Sequence, residues 1–500
     1  MSELPAPGTP VTCLVTGSTG YVGGRLVPEL LAAGYRLRCM TRTASRLSGF
    51  AWTGQTEVTE ADALDAASLR HALAGVDVAY YLIHSLGSGP AFEATDRAAA
   101  QTFAACARDA GVSRIIYLGG LRPPGEGLSP HLRSRAEVGD ILLNSGVPTA
   151  VLRAGVIIGS GSASFEMLRY LTERLPVMVT PKWVRSRTQP IAIRDVLRTL
   201  TGCAALPTQV NRAFDIGGPD VLTYADMMHR YAAVAGLRPR LLIPVGVLTP
   251  SLSSHWVGLV TPVPAALARP LVESLHNDAV AAEHDIARYV PDPPGGLTGF
   301  DDAVRLALQR IREANVTTRW TSAPLPGAPS DSLPTDPGWA GGSLYQDVRE
   351  KLTQAPPAAL WQIIEGIGGQ HGWYSWPLAW QARGWLDRAL GGAGLRRGRR
   401  DPGRLRPGDA LDFWRVEAIE PGHLLRLRAE MKLPGLAWLE LSASEQHGHA
   451  LYRQRAIFHP RGLFGHLYWY TLLPVHSTVF SAMARNITRA AERYADASPG

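Results

Sequence analysis

A glycine-rich segment near the start of the chain could bind a diphosphate. The sequence Thr16-Gly-Ser-Thr-Gly-Tyr-Val-Gly23 follows an apolar, strand-like run at residues 11–15 and precedes a helix-like run at residues 21–33. Glycines at such a turn let backbone N–H groups approach a pyrophosphate, and the helix N-terminus adds partial positive charge. An ordinary tight turn is the alternative interpretation. The residues predicted to bind a dinucleotide are Gly17, Ser18, Thr19, Gly20, Tyr21, Val22 and Gly23.

The residues after the second predicted strand indicate which dinucleotide would bind. A site specific for NAD(H) carries an acidic residue there, which accepts hydrogen bonds from ribose hydroxyls. This chain has Thr41 and Arg42 instead, with Arg46 one turn later, and a guanidinium suits a 2′-phosphate. We therefore predict NADP(H) as the preferred cofactor and NAD(H) as the alternative. Asp62, at the end of the third predicted strand, is expected to contact the adenine amino group; for Arg42 and Asp62 alike, a solvated surface residue is the alternative.

Strand and helix patterns alternate around this segment as far as residue 152. Such alternation predicts an α/β fold with a Rossmann-type, doubly wound parallel sheet covered on both faces. A small substrate lobe is expected to follow, and after it an α+β domain. The predicted divisions are a disordered tail at 1–10, an NAD(P)-binding domain with its substrate lobe at 11–320, a Pro- and Gly-rich linker at 321–342 and a ligand-binding domain at 343–495.

The composition excludes several classes of protein. Of the 500 residues, 46% are hydrophobic and 19% are charged, as in ordinary globular domains and unlike disordered chains. The net charge of +7 is dilute and the Arg-rich run at residues 396–406 lies among Gly and Pro, so we predict no nucleic-acid binding. The four cysteines and the scattered histidines predict neither a disulfide framework nor a metal site. No apolar run reaches the roughly 18 residues of a membrane span and no signal peptide is evident, so we expect a cytoplasmic protein.

Further motifs give residues 11–319 a resemblance to the extended and atypical short-chain dehydrogenase/reductases. They are the strand at residues 78–83, Leu152-Arg-Ala-Gly-Val-Ile-Ile-Gly159 and Gln189-Pro-Ile-Ala-Ile-Arg-Asp-Val196. This group includes nucleoside-sugar epimerases, NmrA-like sensors and the NADPH-carrying accessory subunit of respiratory complex I. The resemblance implies a nicotinamide cofactor. In members that do redox chemistry it also implies a Tyr-x-x-x-Lys pair assisted by a Ser or Thr.

The chain departs from that catalytic pattern. Gly119 and Gly120 stand where the Ser or Thr is expected, and the best placed counterpart of the Tyr and Lys is His131-Leu-Arg-Ser-Arg135. We predict that His131 donates a proton, because imidazole titrates near neutral pH, and that Arg135 holds the ribose or a phosphate. The side chains expected near the nicotinamide ribose are His84 and Ser85, and the nearby hydroxyl donors are Ser129 and Ser134.

Residues 343–494 resemble a domain of unknown function that often follows such a reductase in bacteria. The order of their predicted elements is similar to the START/polyketide-cyclase helix-grip fold. This part of the chain is rich in aromatic residues, which suit either a cavity for an apolar small molecule or a tightly packed core. Peripheral membrane contact through residues 241–275 and the last helix is a further interpretation.

Two functions from different classes follow. The first is an NADP(H)-dependent oxidoreductase that acts on a small or lipophilic carbonyl-type substrate. The second is a non-catalytic redox sensor or assembly factor that binds NADP(H), as the missing Tyr and Lys would favour. The sequence leaves the substrate, the reaction direction and the oligomeric state open.

Overall fold

The structure is a computed structural model, and its described residues fall into two compact units, residues 1–342 and 343–500. The described residues are 11–84, 92–123, 128–180, 182–244, 261, 263, 265–275, 277–316, 344–368, 372–374, 404–446 and 449–497. The tail predicted at residues 1–10 and the linker predicted at 321–342 lie outside them.

The first unit alternates strands and helices from its start. Its strands are β1 (Thr12–Val15), β2 (Arg36–Thr41), β3 (Glu57–Glu60), β4 (Val78–Tyr81), β5 (Arg114–Gly120), β6 (Thr149–Ala154), β7 (Ile157–Ile158), β8 (Val177–Thr180), β9 (Arg187–Thr188), β10 (Ile191–Ala192), β11 (Arg212–Ile216), β12 (Leu222–Thr223) and β13 (Leu241–Pro244). Its α-helices are α1 (Tyr21–Ala32), α2 (Ala66–Leu73), α3 (Phe92–Asp109), α4 (Pro130–Leu143), α5 (Ala163–Arg174), α6 (Ile193–Cys203), α7 (Tyr224–Val234), α8 (Ala265–Ser274) and α9 (Phe300–Val316). Short 3-10 helices lie at Ala44–Leu47, Thr53–Gln55, Lys182–Arg185 and Asp285–Arg288.

Seven of these strands form one parallel sheet in the order β11-β6-β5-β4-β1-β2-β3. One apolar cluster lies between the sheet and helices α1 and α6, and a second lies beneath α2, α3 and α4. Tyr80 and Tyr81, adjacent on β4, are buried in opposite clusters. The predicted doubly wound α/β fold is therefore confirmed. Because the strand order reverses between β1 and β4, a ligand cleft is expected at the carboxyl ends of these strands.

The other elements of the first unit form a smaller lobe. Strand β7 pairs with β10, β8 with β13 and β9 with β12. Helices α5, α7, α8 and α9 surround a separate apolar cluster that includes Phe165, Met227, Tyr231 and Val304. Helix α8 packs against α5 and also against α4 of the sheet layer. The lobe therefore contacts the sheet domain through α8, close to the end of α4 that carries His131.

In its described residues, the second unit is an antiparallel sheet with two helices. Its strands are β14 (Tyr345–Thr353), β15 (Ala410–Leu411), β16 (Trp414–Glu420), β17 (Leu424–Ala429), β18 (Gly435–Gln446) and β19 (His449–Pro460), in the order β14-β19-β18-β17-β16-β15. Its helices are α10 (Pro357–Glu365) and α11 (Gly462–Ala497), and α11 continues through Pro474. Residues of both helices and of the strands share one core, which includes Ile364, Leu439 and Met483.

The aromatic residues of the second unit are largely part of its packing. Trp373, Trp414, Trp438 and Trp469 are each at most 6% exposed, whereas Tyr470 is 59% exposed. Three further tryptophans of this aromatic-rich part, Trp376, Trp380 and Trp385, lie outside the described part of the chain. Within the described residues, no helix is long and apolar enough to cross a membrane. In the same residues no three His, Cys, Asp or Glu side chains are grouped as a metal site.

Candidate functional site

The glycine turn between β1 and α1 has the geometry of a phosphate cradle. Gly17 has a φ of 63°, and a Cβ at this position would lie 2.7 Å from the carbonyl oxygen of Leu82. A Cβ at Gly23 would lie 2.3 Å from the carbonyl oxygen of Gly17. Gly20 precedes α1 and no side chain caps the helix, as suits a helix N-terminus whose backbone N–H groups bind a phosphate. The segment therefore fits a pyrophosphate.

Hydroxyl groups fix the turn to the neighbouring strands. The Thr16 hydroxyl donates to the Tyr80 carbonyl at 2.9 Å and accepts from the Leu82 N–H at 2.9 Å. The Ser18 hydroxyl donates to the Met40 carbonyl at 3.0 Å, which ties the turn to the end of β2. Ser18 is among the predicted ligand residues, but its side chain already has a partner within the protein. Thr16 was not predicted, although a hydroxyl residue before the first glycine was a usable signal.

The side chains of Tyr21 and Val22 pack against the protein. Both contact the core cluster beneath α1. The hydroxyl of Tyr21 lies so close to Gly159 that a Cβ there would be 2.3 Å away. Of the predicted turn residues, Thr19 is half-buried and Gly20 is exposed. The cradle is therefore a backbone structure that side chains hold in shape, and phosphate binding by these residues stays a prediction.

Arg42 lies directly after β2 and is exposed, as is Arg46 in the following 3-10 helix. Neither guanidinium has a carboxylate or hydrogen-bond partner within the described part of the chain. Glu60, at the end of β3, directs its carboxylate to the Ala44 N–H at 2.6 Å rather than to an arginine. Both cations are thus available to a bound phosphate group.

Asp62 follows β3 by two residues and takes part in a local turn. One carboxylate oxygen accepts from the Leu64 N–H at 2.9 Å, and the backbone N–H of Asp62 donates to the Ser68 hydroxyl at 3.2 Å. This role accounts for an aspartate at that position without a ligand. Adenine binding by Asp62 stays a prediction.

We expect Arg42→Ala to weaken NADP(H) binding selectively. A hydrogen bond to a charged group contributes about 1.5–3 kcal/mol, so the affinity for NADPH should fall by about 10–100-fold. The affinity for NADH should change by less than about twofold, because NADH lacks the 2′-phosphate. Titration of each coenzyme into the purified protein measures both values. Arg70→Ala removes the same charge from an exposed position on α2 and serves as the control. Equal losses for the two coenzymes would remove the proposed role of Arg42.

His131 and Arg135 lie one turn apart on α4, whose N-cap is Ser129. The Arg135 guanidinium donates to the Leu118 carbonyl of β5 at 3.0 Å, and the Tyr117 hydroxyl donates to the Arg135 carbonyl at 3.2 Å. These two bonds hold Arg135 at the carboxyl-end half of β5. Nδ1 of His131 is 3.1 Å from the hydroxyl of Ser274, on α8 of the smaller lobe.

The electrostatic environment keeps His131 neutral. Burial, the charge of Arg135 and then the proximity of His84 lower the pKa of His131 to about 3. His84, three residues beyond β4, is accessible to solvent but crowded by protein atoms, and loss of hydration followed by Arg135 lowers its pKa as well. The structure thus brings the predicted residues His84, His131 and Arg135 together, at the edge of the sheet where a ligand is expected.

The other predicted hydroxyl groups have structural partners. Ser129 caps α4 through the Leu132 N–H at 3.3 Å, and the Ser134 hydroxyl donates to the buried Asp96 carboxylate at 3.1 Å. Ser85 lies outside the described residues. Sequence reasoning missed Ser274, which is separated from His131 by 143 positions and lies in no recognisable motif.

A groove of about 670 Å³ runs along another side of α4 and is not this site. Its charged residues include Arg122, Arg133 and Asp140, but neither His131 nor Arg135 lines it. Arg122 is paired with Asp140 at 2.6 Å, and Arg133 with Glu93 at 2.8 Å. Because of these ion pairs, the groove has less unpaired positive charge than the segment after β2, where Arg42 and Arg46 lie.

The parallel sheet with its glycine turn and its reversal of strand order defines the first unit as a Rossmann-type domain, the class of fold in which dinucleotides bind. Residues 17–157 match the family model described as NAD(P)H-binding, and residues 339–483 match the family described as protein of unknown function (DUF2867). The two matches follow one another along the chain, the first within residues 1–342 and the second mainly within residues 343–500.

Several known proteins are similar to parts of this chain. The ceramide reductase of Caulobacter vibrioides is 28% identical over 300 residues, which are 58% of this chain and 92% of that protein. Triphenylmethane reductase from Citrobacter sp. superposes with a TM-score of 0.48 at 20% identity, covering 60% of this chain and 99% of the other. An NADPH-dependent quinone oxidoreductase of Escherichia coli superposes with a TM-score of 0.47 at 17% identity, covering 59% and 98%.

Proposed function

We propose that this protein is an NADP(H)-dependent oxidoreductase that reduces a carbonyl group on a lipophilic substrate. The observation that carries the proposal is the grouping of His131, Arg135 and His84 at the carboxyl-end edge of the sheet that also holds the glycine turn. An acid–base group, a fixed cation and a dinucleotide cradle at one edge of a sheet are the elements that hydride transfer requires.

Each group has a distinct part in this proposal. Bound NADPH would supply a hydride to the carbonyl carbon. The N–H groups at the start of α1 hold the pyrophosphate, and Arg42 holds the 2′-phosphate. Arg135, anchored to Leu118, stabilises the negative charge that develops on the carbonyl oxygen or holds the ribose. His131 exchanges the proton with that oxygen through Nε2, which has no partner within the described residues.

The lipophilic character of the substrate is supported by two observations. The similar protein from Caulobacter vibrioides is named a ceramide reductase. In the smaller lobe, Val177 and Val179 of β8 and Leu241 and Ile243 of β13 are 43–57% exposed and lie opposite one another in the strand register. An exposed apolar strand face of this kind is suited to a lipid surface or to an apolar ligand.

A turnover assay tests the proposal. NADPH absorbance is followed with the full-length protein and a panel of ketones that runs from short aliphatic compounds to long-chain amide-linked ketones presented in mixed micelles. We expect the coenzyme to be consumed and the long-chain compounds to react faster. Tight NADPH binding without consumption across the panel would contradict the oxidoreductase.

Tight binding of NADPH without its consumption would favour a non-catalytic NADP(H) sensor. The absence of Tyr and Lys at the expected positions supports it, since the replacing imidazole is almost entirely neutral at pH 7. Under this alternative, coenzyme occupancy changes contacts with a partner and no substrate is converted.

For the second unit, the proposed function is the binding of an apolar small molecule in a helix-grip-like fold. The support is the order of its described elements: a strand, a helix, five further strands and a long helix that packs against β14 and β19. One buried polar pair, Tyr452 and Gln454, lies on the sheet face that packs against the helices, with the Tyr452 hydroxyl donating to the Gln454 side chain at 3.0 Å.

We also propose peripheral contact with lipid through the exposed face of β8 and β13. The chain from Leu241 onward carries no Asp, Glu, Lys or Arg until Arg269, so this part of the lobe has no charge to solvate. The double variant Leu241→Asp/Ile243→Asp should reduce co-flotation with phosphatidylglycerol vesicles by about tenfold or more, because each side chain loses about 1.5–3 kcal/mol of apolar burial. Leu352→Asp, at a leucine of the second unit that is 54% exposed, is the control. Wild-type protein that stays with the unbound fraction would eliminate this contact.

A further inference from the structure

A serine of the smaller lobe lies against the candidate proton-transfer residue. The Ser274 hydroxyl is 3.1 Å from Nδ1 of His131 and 3.0 Å from the Ser129 hydroxyl, and it lies 2.8 Å from the Pro270 carbonyl oxygen. Ser274 is the last residue of α8, whereas His131 and Ser129 belong to the start of α4. One hydroxyl thus contacts three groups at the junction of the lobe and the sheet domain.

The hydrogens available to these groups determine the direction of each bond. A hydroxyl has one proton to donate and two lone pairs that accept. The shortest of the three contacts is with the Pro270 carbonyl, which can only accept, so the Ser274 proton goes there. The Ser129 oxygen already accepts from the Leu132 N–H, so its own proton is directed to Ser274. The remaining lone pair of Ser274 is left for a donor on His131.

We propose that Ser274 is a positioning residue that fixes His131 with its proton on Nδ1 and presents the Nε2 lone pair to the ligand cleft. The two neutral tautomers of an imidazole are close in energy, and the hydrogen bond at one nitrogen decides which is present. Nε2 has no partner within the described residues, so nothing there opposes this choice.

Neighbouring charges favour the same state. The groups that face His131 are Arg135 on its own helix and His84 after β4, and both disfavour a second proton on the ring. The neutral imidazole of His131 is therefore held by one hydrogen bond with Ser274, which belongs to the smaller lobe and not to the sheet domain. A change in the position of α8 would change the orientation of His131 directly.

The catalytic consequence of this arrangement rests on the proposed function. With Nδ1–H fixed, the proton gained or lost during turnover is the one on Nε2. In carbonyl reduction, solvent protonates Nε2, the proton passes to the substrate oxygen as the hydride reaches the carbon, and the ring returns to the Nδ1–H tautomer. In alcohol oxidation the same proton moves from the substrate hydroxyl to Nε2.

Nitrogen-15 NMR tests the tautomer without any turnover. The full-length protein is labelled with ¹⁵N-histidine, and the ring signals of His131 are assigned by comparison with His131→Asn. At pH 7.5 we expect Nδ1 to resonate as a protonated nitrogen and Nε2 as an unprotonated one. In Ser274→Ala both nitrogens should shift to intermediate positions, because the two tautomers then exchange, and Ser274→Thr should restore the wild-type pattern. Ser134→Ala removes a hydroxyl of α4 that bonds Asp96 instead and is the control.

The outcomes separate this inference from the proposed function. A wild-type His131 with its proton on Nε2, or an unchanged tautomer in Ser274→Ala, overturns the role of Ser274 whether or not the protein is an enzyme. The wild-type spectrum shows which nitrogen of His131 carries the proton even if the alanine variant fails to fold. Where turnover is observed, Ser274→Ala should lower kcat by about tenfold, because the reacting imidazole is then less well oriented, and leave the KM for NADPH within about twofold.

Discussion

His131→Ala is expected to lower kcat for carbonyl reduction by about 10²–10⁴-fold, the range that a positioned acid–base group contributes. The Kd for NADPH should change by less than about twofold, because the imidazole lies on α4 whereas the proposed phosphate site lies at α1 and Arg42. Stopped-flow measurement of NADPH oxidation gives the rate, and fluorescence titration gives the affinity. His71→Ala, which removes an exposed histidine from α2, should leave both unchanged. A His131→Ala enzyme with the wild-type rate would exclude proton transfer by His131.

The pH dependence of kcat/KM tests proton transfer by His131 independently of the alanine variant's rate. A pKa of about 3 means that the charged form of His131 is about one part in ten thousand at pH 7. Because this fraction falls tenfold per pH unit above the pKa, kcat/KM for reduction should fall about tenfold per unit between pH 5 and pH 8. The His131→Ala variant should show no such slope. A wild-type plateau below pH 6.5 would mean that the pKa of His131 in the working enzyme is close to its ordinary value.

Gly23→Ala is expected to reduce NADPH affinity by at least about 100-fold. The new Cβ would lie 2.3 Å from the Gly17 carbonyl oxygen, a backbone atom that moves only with the whole turn. Overpacking of this kind typically costs about 1–3 kcal/mol of stability, and it would displace the N–H groups that are proposed to bind the phosphates. Calorimetric titration measures the affinity, and thermal unfolding measures the stability.

Gly34→Ala is the matched control for this variant. Gly34 has a φ of 86°, but a Cβ added there would have no neighbouring atom within 4 Å, so the substitution introduces backbone strain without a clash. We expect it to cost about 1–2 kcal/mol of stability while NADPH affinity stays unchanged. Equal affinity losses in the two variants would show that general destabilisation, and not the shape of the turn, controls binding.

The first unit could be predicted from its sequence because its signals are local. The glycine spacing at 17, 20 and 23 and the alternation of buried strands with amphipathic helices depend only on neighbouring residues. The position of Arg42 directly after β2 could also be predicted, because it depends only on where this strand ends. The proximity of His131 and Arg135 followed from helical spacing, since residues four apart lie on the same face.

The remaining parts of the site depend on tertiary contacts that no sequence pattern encodes. The hydrogen bond from α8 to His131 joins residues 143 positions apart. The lowered pKa of His131 arises from burial together with Arg135 and His84, whereas the isolated side chain would titrate near neutral pH. Ser18 and Asp62 are both predicted to bind the cofactor, and only the folded chain reveals that their side chains form hydrogen bonds with the backbone of Met40 and Leu64.

Isothermal titration calorimetry of the full-length protein with NADPH and with NADH tests whether the glycine turn and Arg42 form a site for NADP(H). We expect saturable heat with NADPH at one site per chain and an affinity for NADH that is at least about tenfold lower, since only NADPH offers a 2′-phosphate to Arg42. No heat with either coenzyme would contradict the cradle at the start of α1, and tighter binding of NADH would contradict the role assigned to Arg42.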